Sequence, residues 1–146
     1  MLLGSLQAGL AFSNASLGAV HALAHSMGGF LDLPHGECNA LLLEHVVRFN
    51  MTAAPARYRQ IGEAMGIDTR GMNDAEAADA AASAVEALMK KVGAPTTLAA
   101  AGLERDVVTA RIADIIGGTM SDLNCGSNPR PVNDPNAVTA FVMAAI

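Results

Sequence analysis

Charged residues are scarce in this chain, and no stretch of it is strongly basic. They make up 16% of the 146 residues, against 51% hydrophobic residues, a balance too apolar for a disordered protein. The net charge is -5 and the nine lysines and arginines are scattered, so neither nucleic acid nor an anionic membrane surface has an evident binding face. We therefore expect a folded protein that binds neither nucleic acid nor membrane.

Cysteines and long apolar runs are also few. Cys38 and Cys125 are the only thiols, which is typical of a reduced intracellular protein and not of a disulfide framework. No window reaches the ~20 uninterrupted apolar residues of a membrane span. The first residues, MLLGSLQAGLAFSNAS, are apolar enough for a secretory leader but have no basic region before them. The sequence therefore predicts a cytoplasmic location.

Strand patterns are nearly absent, and apolar residues recur instead at helical spacing. Asn73 with Glu76 is a capping-box pattern, and it opens a helix that Gly93 and Pro95 should stop. The Ala-rich part of this helix predicts close packing against a neighbour. Asn133-Asp134-Pro135 has the pattern of an N-cap followed by proline at the first helical position.

The remaining helical patterns are shorter, and no repeat or low-complexity linker separates them. They cover residues 37–49, residues 55–65, and a segment that begins at Glu104 and Asp106 and should weaken or end at Gly117-Gly118. We predict one domain over residues 1–146, folded as an all-α bundle of about seven helices.

Three of the four histidines fall in the stretch HALAHSMGGFLDLPH, which begins at His21 and ends at His35. On a helix, His21 and His25 are one turn apart and project from the same face. Gly28-Gly29 should then end that helix, and Pro34 should fix the approach of His35 to the other two imidazoles. Imidazole is a ligand for iron, zinc, copper and nickel, but buried histidines also serve as hydrogen-bonded core residues, and spacing alone leaves both readings open. For His45 a structural role is favoured.

The histidine stretch is part of a longer pattern. Residues 9–25 (GLAFSNASLGAVHALAH), Pro34-His35-Gly36 with Asn39-Ala40, and Asn128-Pro129-Arg130 closely resemble the signature of the iron-containing (group III) alcohol dehydrogenases. The similarity extends over essentially the whole chain, although residues 66–104 match only in helical character. The resemblance implies the all-helical carboxy-terminal domain of the dehydroquinate-synthase-like fold, which packs against a separate nucleotide-binding α/β domain.

The resemblance also implies roles for individual residues. The family binds divalent iron, or zinc in some members, through an aspartate and three histidines, and His21 and His35 match two of those histidines. His25 matches a histidine that relays the alcohol proton, with a brace for a metal ligand as the alternative. Phe12 matches a residue of the substrate pocket. Cys125 lies near a pocket cysteine of the family, in a segment that is one residue shorter here.

The implied reaction interconverts a primary alcohol or diol and its aldehyde with NAD(P), the metal ion polarising the substrate oxygen. However, no glycine-rich nucleotide turn follows a strand in this sequence, so we expect the nucleotide-binding domain to be absent from the chain. The helix that carries the other aspartate and histidine ligands should be absent as well. Two imidazoles bind iron weakly, so we expect the chain to be inactive alone.

Two alternatives of other classes remain open. The chain could be a catalytically inactive helical module that forms a homo-oligomer through its apolar face. It could also be a metal-dependent hydrolase in which Asp32 or Glu37 joins the histidines. The substrate alcohol and the choice between NAD and NADP are not encoded in any residue identified here.

Overall fold

A computed structural model describes residues 1–146, which form eight α-helices and one 3-10 helix and no strand. The predicted all-α class is therefore confirmed. In chain order the elements are α1 (Leu2–Ala15), α2 (Ala19–Leu31), α3 (His35–Met51), α4 (Pro55–Ala64), α5 (Asp74–Val92), α6 (Arg105–Ala110), α7 (Ile112–Ser121), the 3-10 helix (Leu123–Ser127) and α8 (Pro135–Ala144). None of the helices combines the length and hydrophobicity that a bilayer-spanning segment requires.

The capping signals define helix ends as the sequence predicts. The Asn73 side chain accepts hydrogen bonds from the first turn of α5 while Glu76 reaches back to the Asn73 amide, and Gly93 ends the helix in the left-handed conformation. Asp134 caps α8, and Pro135 is its first residue. These five residues confirm the predicted bounds of α5 and the predicted start of α8.

Two glycine pairs were expected to stop helices, and that expectation is wrong. α2 continues through Gly28-Gly29 to Leu31 and ends at Asp32, which is left-handed with φ 55°. α7 continues through Gly117-Gly118 to Ser121. The reason at Gly118 is packing, since a Cβ there would lie 2.7 Å from Ser26 Oγ on α2. That glycine allows the close approach of two helices instead of ending one.

The hydrophobic core surrounds α2 and α3, with α7 and α8 packed against them. Its fully buried large side chains include Leu23 and Met27 of α2, Leu41 and Leu42 of α3, and Ile115 of α7. Burial of such side chains stabilises the fold by about 1.5–3 kcal/mol each. α2 and α3, which carry the three clustered histidines, are therefore held on a well-packed base.

The antiparallel pair α4 and α5 packs beside α3 through small residues. Four alanines of α5 are buried, namely Ala77, Ala78, Ala81 and Ala82. A Cβ on Gly62 of α4 would come within 3.2 Å of Ala81 Cβ, so the two helix backbones approach closely. The close packing predicted from the Ala-rich segment is thus observed.

Helix α1 differs from every other α-helix in that none of its residues is buried. Its large apolar side chains are all exposed, and they are Leu2, Leu3, Leu6, Leu10 and Phe12. Ser16, with φ 67°, and Gly18 lie between α1 and α2. The apolar surface of α1 is left without a partner in this chain.

Candidate metal and substrate site

The three histidines singled out in the sequence lie together on the surface of the α2–α3 pair. The centroids of the His21 and His25 rings are 6.1 Å apart, and the His35 ring is 5.3 Å from each of them. His21 and His25 are one turn apart on α2, and His35 is the first residue of α3. The segment 32–34 therefore returns the chain along α2 far enough for α3 to begin beside the other two rings.

The surroundings of His21 lower the pKa of its imidazole. Burial lowers this pKa below the ordinary value, and the charges of His35 and His25 lower it further, although the Asp122 charge acts in the opposite direction. An uncharged imidazole with a lone pair is the form that binds a metal ion. The crowding of three rings therefore favours the ligand state of His21.

His35 is oriented by a neighbour on its own helix. Asn39, one turn along α3, brings its Nδ2 to 2.9 Å from His35 Nε2 and also donates to the His35 carbonyl oxygen at 3.0 Å. The Oδ1 of Asn39 is buried and has no partner. Because an N–H donor faces His35 Nε2, this contact favours the tautomer of His35 that carries its proton on Nδ1.

His25 contacts a carboxylate from a distant part of the chain. Its Nδ1 is 2.8 Å from Oδ2 of Asp122, the residue between α7 and the 3-10 helix. Burial raises the pKa of the Asp122 carboxyl, but hydrogen bonds from His25 and Asn124 outweigh it, and the pKa lies below its ordinary value. Asp122 is therefore ionised at neutral pH and accepts from His25.

A cavity of about 750 Å³ opens beside two of the imidazoles. His21 and His35 form part of its wall together with Phe12 from the end of α1, and Asn50, Tyr58 and Asn128 line it as well. Such a volume is typical of small-molecule sites, which are mostly apolar with a few converging polar groups. Phe12 thus lines the same cavity as His21 and His35, and its role in a substrate pocket stays a prediction.

Cys125, the other predicted pocket residue, does not line this cavity. It lines a separate depression of about 310 Å³ and donates from Sγ to the Thr119 carbonyl oxygen at 3.2 Å. Burial raises the pKa of its thiol. Its assignment to the substrate pocket stays a prediction, and the contact with Thr119 gives it a structural role within this chain.

The segment around Asn128 holds the start of α2 next to the end of α3. Asn128 Oδ1 accepts from the Ala19 amide at 3.1 Å and from Asn50 Nδ2 at 2.9 Å, while its Nδ2 donates to Asn50 Oδ1 at 2.7 Å. Both asparagines are buried. Arg130 lies over the Phe49 ring, with Cζ 3.9 Å from the centroid. This buried amide pair fixes the helix end that carries His21.

The donor set of the cluster fits a metal ion only in part. His21 and His35 offer nitrogen ligands of the type that iron and zinc accept. However, the chain contains no group of three or more histidine, cysteine or acidic side chains arranged to hold a metal. Asp32 is exposed, and Glu37 lines a different depression beside Gly93, so neither completes the site. The two imidazoles are fewer ligands than a stable metal site normally has.

Comparison with known proteins assigns the chain to a family. A family model described as the C-terminal part of the Fe-containing alcohol dehydrogenases matches residues 1–145. The chain belongs to the iron-containing alcohol dehydrogenase family. The resemblance found in the histidine stretch and in the Asn128-Pro129-Arg130 motif is therefore confirmed.

Relatives in this family match the chain along nearly its whole length. It is 40% identical to the 1,3-propanediol dehydrogenase of Citrobacter freundii over 144 residues, 99% of this chain and 36% of the relative. It is 41% identical to the lactaldehyde reductase of Escherichia coli (strain K12) over 130 residues, 89% of this chain and 33% of the relative. The chain thus spans about a third of the length of these iron-containing dehydrogenases.

Solved structures give the same assignment for the fold. The crystal structure of a 1,3-propanediol oxidoreductase superimposes with a TM-score of 0.89 and 38% identity, covering 97% of this chain and 36% of that one. The alcohol dehydrogenase from Oenococcus oeni superimposes with a TM-score of 0.85 and 34% identity, covering 95% and 35%. The all-helical fold is therefore that of the C-terminal domain of the iron-containing alcohol dehydrogenases.

The sequence predicted the three clustered histidines but not the residues that hydrogen-bond to them or hold the start of α2. Asn39 was noticed only as part of the signature, although its position four residues after His35 places it on the same helix face. Asn50 and Asp122 were not identified. Asp122 is 97 residues from His25, and no local pattern in the sequence connects them.

Proposed function

We propose that this chain is the metal-binding part of an iron-dependent alcohol dehydrogenase, which interconverts a primary alcohol or diol and its aldehyde with NAD(P) when joined to a nucleotide-binding domain. The observation that supports this most strongly is the cluster of His21, His25 and His35 beside a cavity of about 750 Å³. Residues 1–146 contain no strand, so an α/β nucleotide-binding domain would lie outside them.

His21 and His35 would hold the metal ion, together with ligands from the joined domain. A divalent ion at this position, iron or in some members zinc, supplies a positive charge that polarises the substrate oxygen. The lowered pKa of His21 keeps its imidazole available as a ligand at neutral pH. With two protein ligands alone, metal binding would be weak.

His25 would carry the proton that the alcohol hydroxyl loses. Its Nδ1 is occupied by Asp122, so its Nε2 is the nitrogen available to accept a proton. About two fifths of the His25 side chain is exposed, at 43%, which gives the imidazole access to solvent. His25 can therefore take a proton near the site and release it to water.

The cavity would orient the substrate and exclude water from it. Phe12 and the aliphatic part of the lining offer an apolar surface to the carbon chain of an alcohol, while Asn39 and Tyr58 supply polar groups. Nothing in the lining selects one alcohol. Relatives are named for methanol and butanol with NAD and NADPH respectively, so the cofactor choice is also left open by the similarity.

A chimera tests this function directly. The stretch of the Citrobacter freundii 1,3-propanediol dehydrogenase that matches this chain would be replaced by residues 1–146, and the product loaded with ferrous iron under anaerobic conditions. We expect aldehyde-dependent oxidation of NADH or NADPH, and its loss in the His21→Ala, His35→Ala double variant. His45→Ala is the matched control, because His45 lies on α3 and outside the cluster. A folded chimera that binds iron and cofactor but reduces no short-chain aldehyde would refute the proposal.

The exposed surface of α1 favours a second candidate, a module that self-associates. A largely apolar helix with no buried residue leaves Leu2, Leu6 and Leu10 in water, and such surface is normally covered by a partner. In the first proposal the joined domain covers it, and in the second another copy of the chain does. A strict monomer in light scattering over a range of concentrations would exclude the second candidate.

The predicted cytoplasmic location belongs to the same proposal. Cys38 and Cys125 are both free thiols, which fits a reducing compartment. Expression of the chain with a fluorescent tag, followed by fractionation, would test this location.

A further inference from the structure

Asp122 caps the 3-10 helix and also contacts the imidazole of His25. We infer that Asp122 is a positioning residue that holds the His25 ring with a proton on Nδ1, so that the unprotonated Nε2 is presented for proton transfer. This inference rests on the proposed function for its catalytic consequence, but the tautomer itself can be measured without any activity.

The hydrogen-bonding chemistry of a carboxylate decides the tautomer. Asp122 Oδ2 lies 2.8 Å from His25 Nδ1. An ionised carboxylate can only accept, so the proton of this hydrogen bond must belong to Nδ1. An uncharged imidazole carries one N–H, and therefore Nε2 has a free lone pair. The contact thus selects one of the two tautomers of neutral His25.

The other oxygen of Asp122 is fully engaged elsewhere, which keeps the carboxylate in place. Oδ1 accepts from the Asn124 backbone amide at 2.8 Å and from Asn124 Nδ2 at 2.8 Å. These bonds cap the 3-10 helix that begins at Leu123. Capping alone needs only Oδ1, so Oδ2 is left free to serve His25. The two oxygens have separate roles, and a substitution can disturb one without the other.

The packing around the pair also restricts its movement. α7, which ends just before Asp122, packs against α2, which carries His25. Gly118 on α7 and Ser26 on α2 make the close approach of these helices, and both line the groove of about 380 Å³ in which His25 and Asp122 lie. His25 does not line the larger cavity, so its contacts on the Asp122 side are separate from those of a bound substrate.

Asp122→Asn is the informative substitution. It keeps the oxygen that caps the 3-10 helix but replaces the acceptor that faces His25 Nδ1 with a donor. The amide oxygen is retained by the two donors of Asn124, so the NH₂ group faces His25 Nδ1. A donor at that position requires Nδ1 to be unprotonated, and the proton moves to Nε2. Asp114→Asn is the matched control, because Asp114 lies on α7 and pairs with Arg111 instead of a histidine.

The experiment is long-range ¹⁵N–¹H NMR on the ¹⁵N-labelled 146-residue chain at a pH where the histidines are uncharged. We expect the Nδ1–H form for His25 in the wild type and in Asp114→Asn, and the Nε2–H form in Asp122→Asn. An Nε2–H signal for wild-type His25, or an unchanged tautomer in Asp122→Asn, would overturn the inference whatever the chain does as an enzyme.

The catalytic consequence is read in the chimera with the nucleotide-binding part of the relative. Asp122→Asn should lower kcat by about 10- to 100-fold, the range found for residues that orient a functional histidine, with little change in KM. Asp122→Glu, which restores an acceptor, should recover part of this loss. A reversed tautomer with unchanged kcat would remove the relay role from His25. An inactive wild-type chimera would instead refute the proposed function, with the tautomer result standing by itself.

Discussion

The α4–α5 pair differs in its packing from the histidine face, by which we mean α1 together with His21, His25 and His35. Between α4 and α5 small residues interlock, and Arg48 of α3 reaches carboxylates of α5 at Asp79 and Glu86. On the other face, α1 buries nothing, and three imidazoles lie together with too few partners to hold a metal. The first region satisfies its apolar and polar groups within the chain, whereas the second leaves apolar side chains and imidazoles exposed.

This contrast separates stability from function. Residues that matter for folding should lie in the core, in the α4–α5 pair and in the buried amide pair at Asn128. Substitutions at the histidine face should change the free energy of unfolding little but should strongly weaken the binding of metal and substrate. The substitutions below test that division, beginning with the largest expected change in the free energy of unfolding.

Removal of the Asn128 side chain should have the largest effect. Asn128→Ala leaves the buried Ala19 amide without its partner and removes both hydrogen bonds between Asn128 and Asn50. Since an unpaired buried polar group costs about 1–3 kcal/mol, we expect the free energy of unfolding to fall by about 3 kcal/mol. Urea unfolding followed by circular dichroism measures it. Asn133→Ala, at an exposed position, is the control, and an equal effect of the two would mean that the buried pair contributes nothing.

A larger side chain between α4 and α5 should have the next largest effect. Ala81→Leu places three extra carbons against Gly62. The backbones of α4 and α5 are so close there that even a Cβ on Gly62 would lie 3.2 Å from Ala81 Cβ. Overpacking of this kind costs about 1–3 kcal/mol. The same urea measurement applies, with Ala87→Leu at an exposed position of α5 as control. If the two leucine variants were equally stable, the close packing of this pair would not limit the fold.

A smaller effect is expected from pH, through His21. Its folded-state pKa lies below the ordinary value of 6.5, so the unfolded chain binds the proton more tightly. The stability that His21 contributes is complete above about 6.5 and is lost as the pH falls through the folded-state pKa. Unfolding curves between pH 8 and pH 5 should therefore diverge between wild type and His21→Gln, the wild type losing more. Parallel curves would contradict the lowered pKa.

The smallest effect on stability is expected in α1. Leu6 and Leu10 are 60% and 59% exposed, so the double variant Leu6→Glu, Leu10→Glu should change the free energy of unfolding by less than about 0.5 kcal/mol. The same variant should abolish any self-association seen in light scattering and impair the chimera. A marked loss of stability in the isolated chain would show that α1 packs within it after all.

Local signals in the sequence were enough for most of the fold. The Asn73 and Glu76 capping box, the Asp134-Pro135 start and the alanine spacing of α5 depend on neighbours within one or two turns, so the sequence reports them directly. The glycine pairs were misread because the same residue can end a helix or admit another helix, and only packing distinguishes the two. At Gly118 the deciding contact is Ser26, 92 positions earlier.

The histidines of the candidate site could be predicted from the sequence, but the residues that hold them in position could not. The spacing of His21, His25 and His35 predicted that their rings lie close together, and the family signature predicted their roles. Asp122 and Asn50 act through contacts with residues far away in the chain, and no periodicity or motif predicts such contacts. Cys125, which came from the signature alone, does not line the cavity, and its thiol donates to the Thr119 carbonyl oxygen.

The sequence distance between Ala19 and Asn128 has a consequence for the order of events in folding. The hydrogen bond that caps α2 spans 109 residues, whereas α4 and α5 meet across a short connection. Closing a long loop costs more chain entropy and is slower than closing a short one. During synthesis α4 and α5 can pack together as soon as both have emerged from the ribosome, but α2 gains its hydrogen bond to Asn128 only after 109 further residues have followed Ala19.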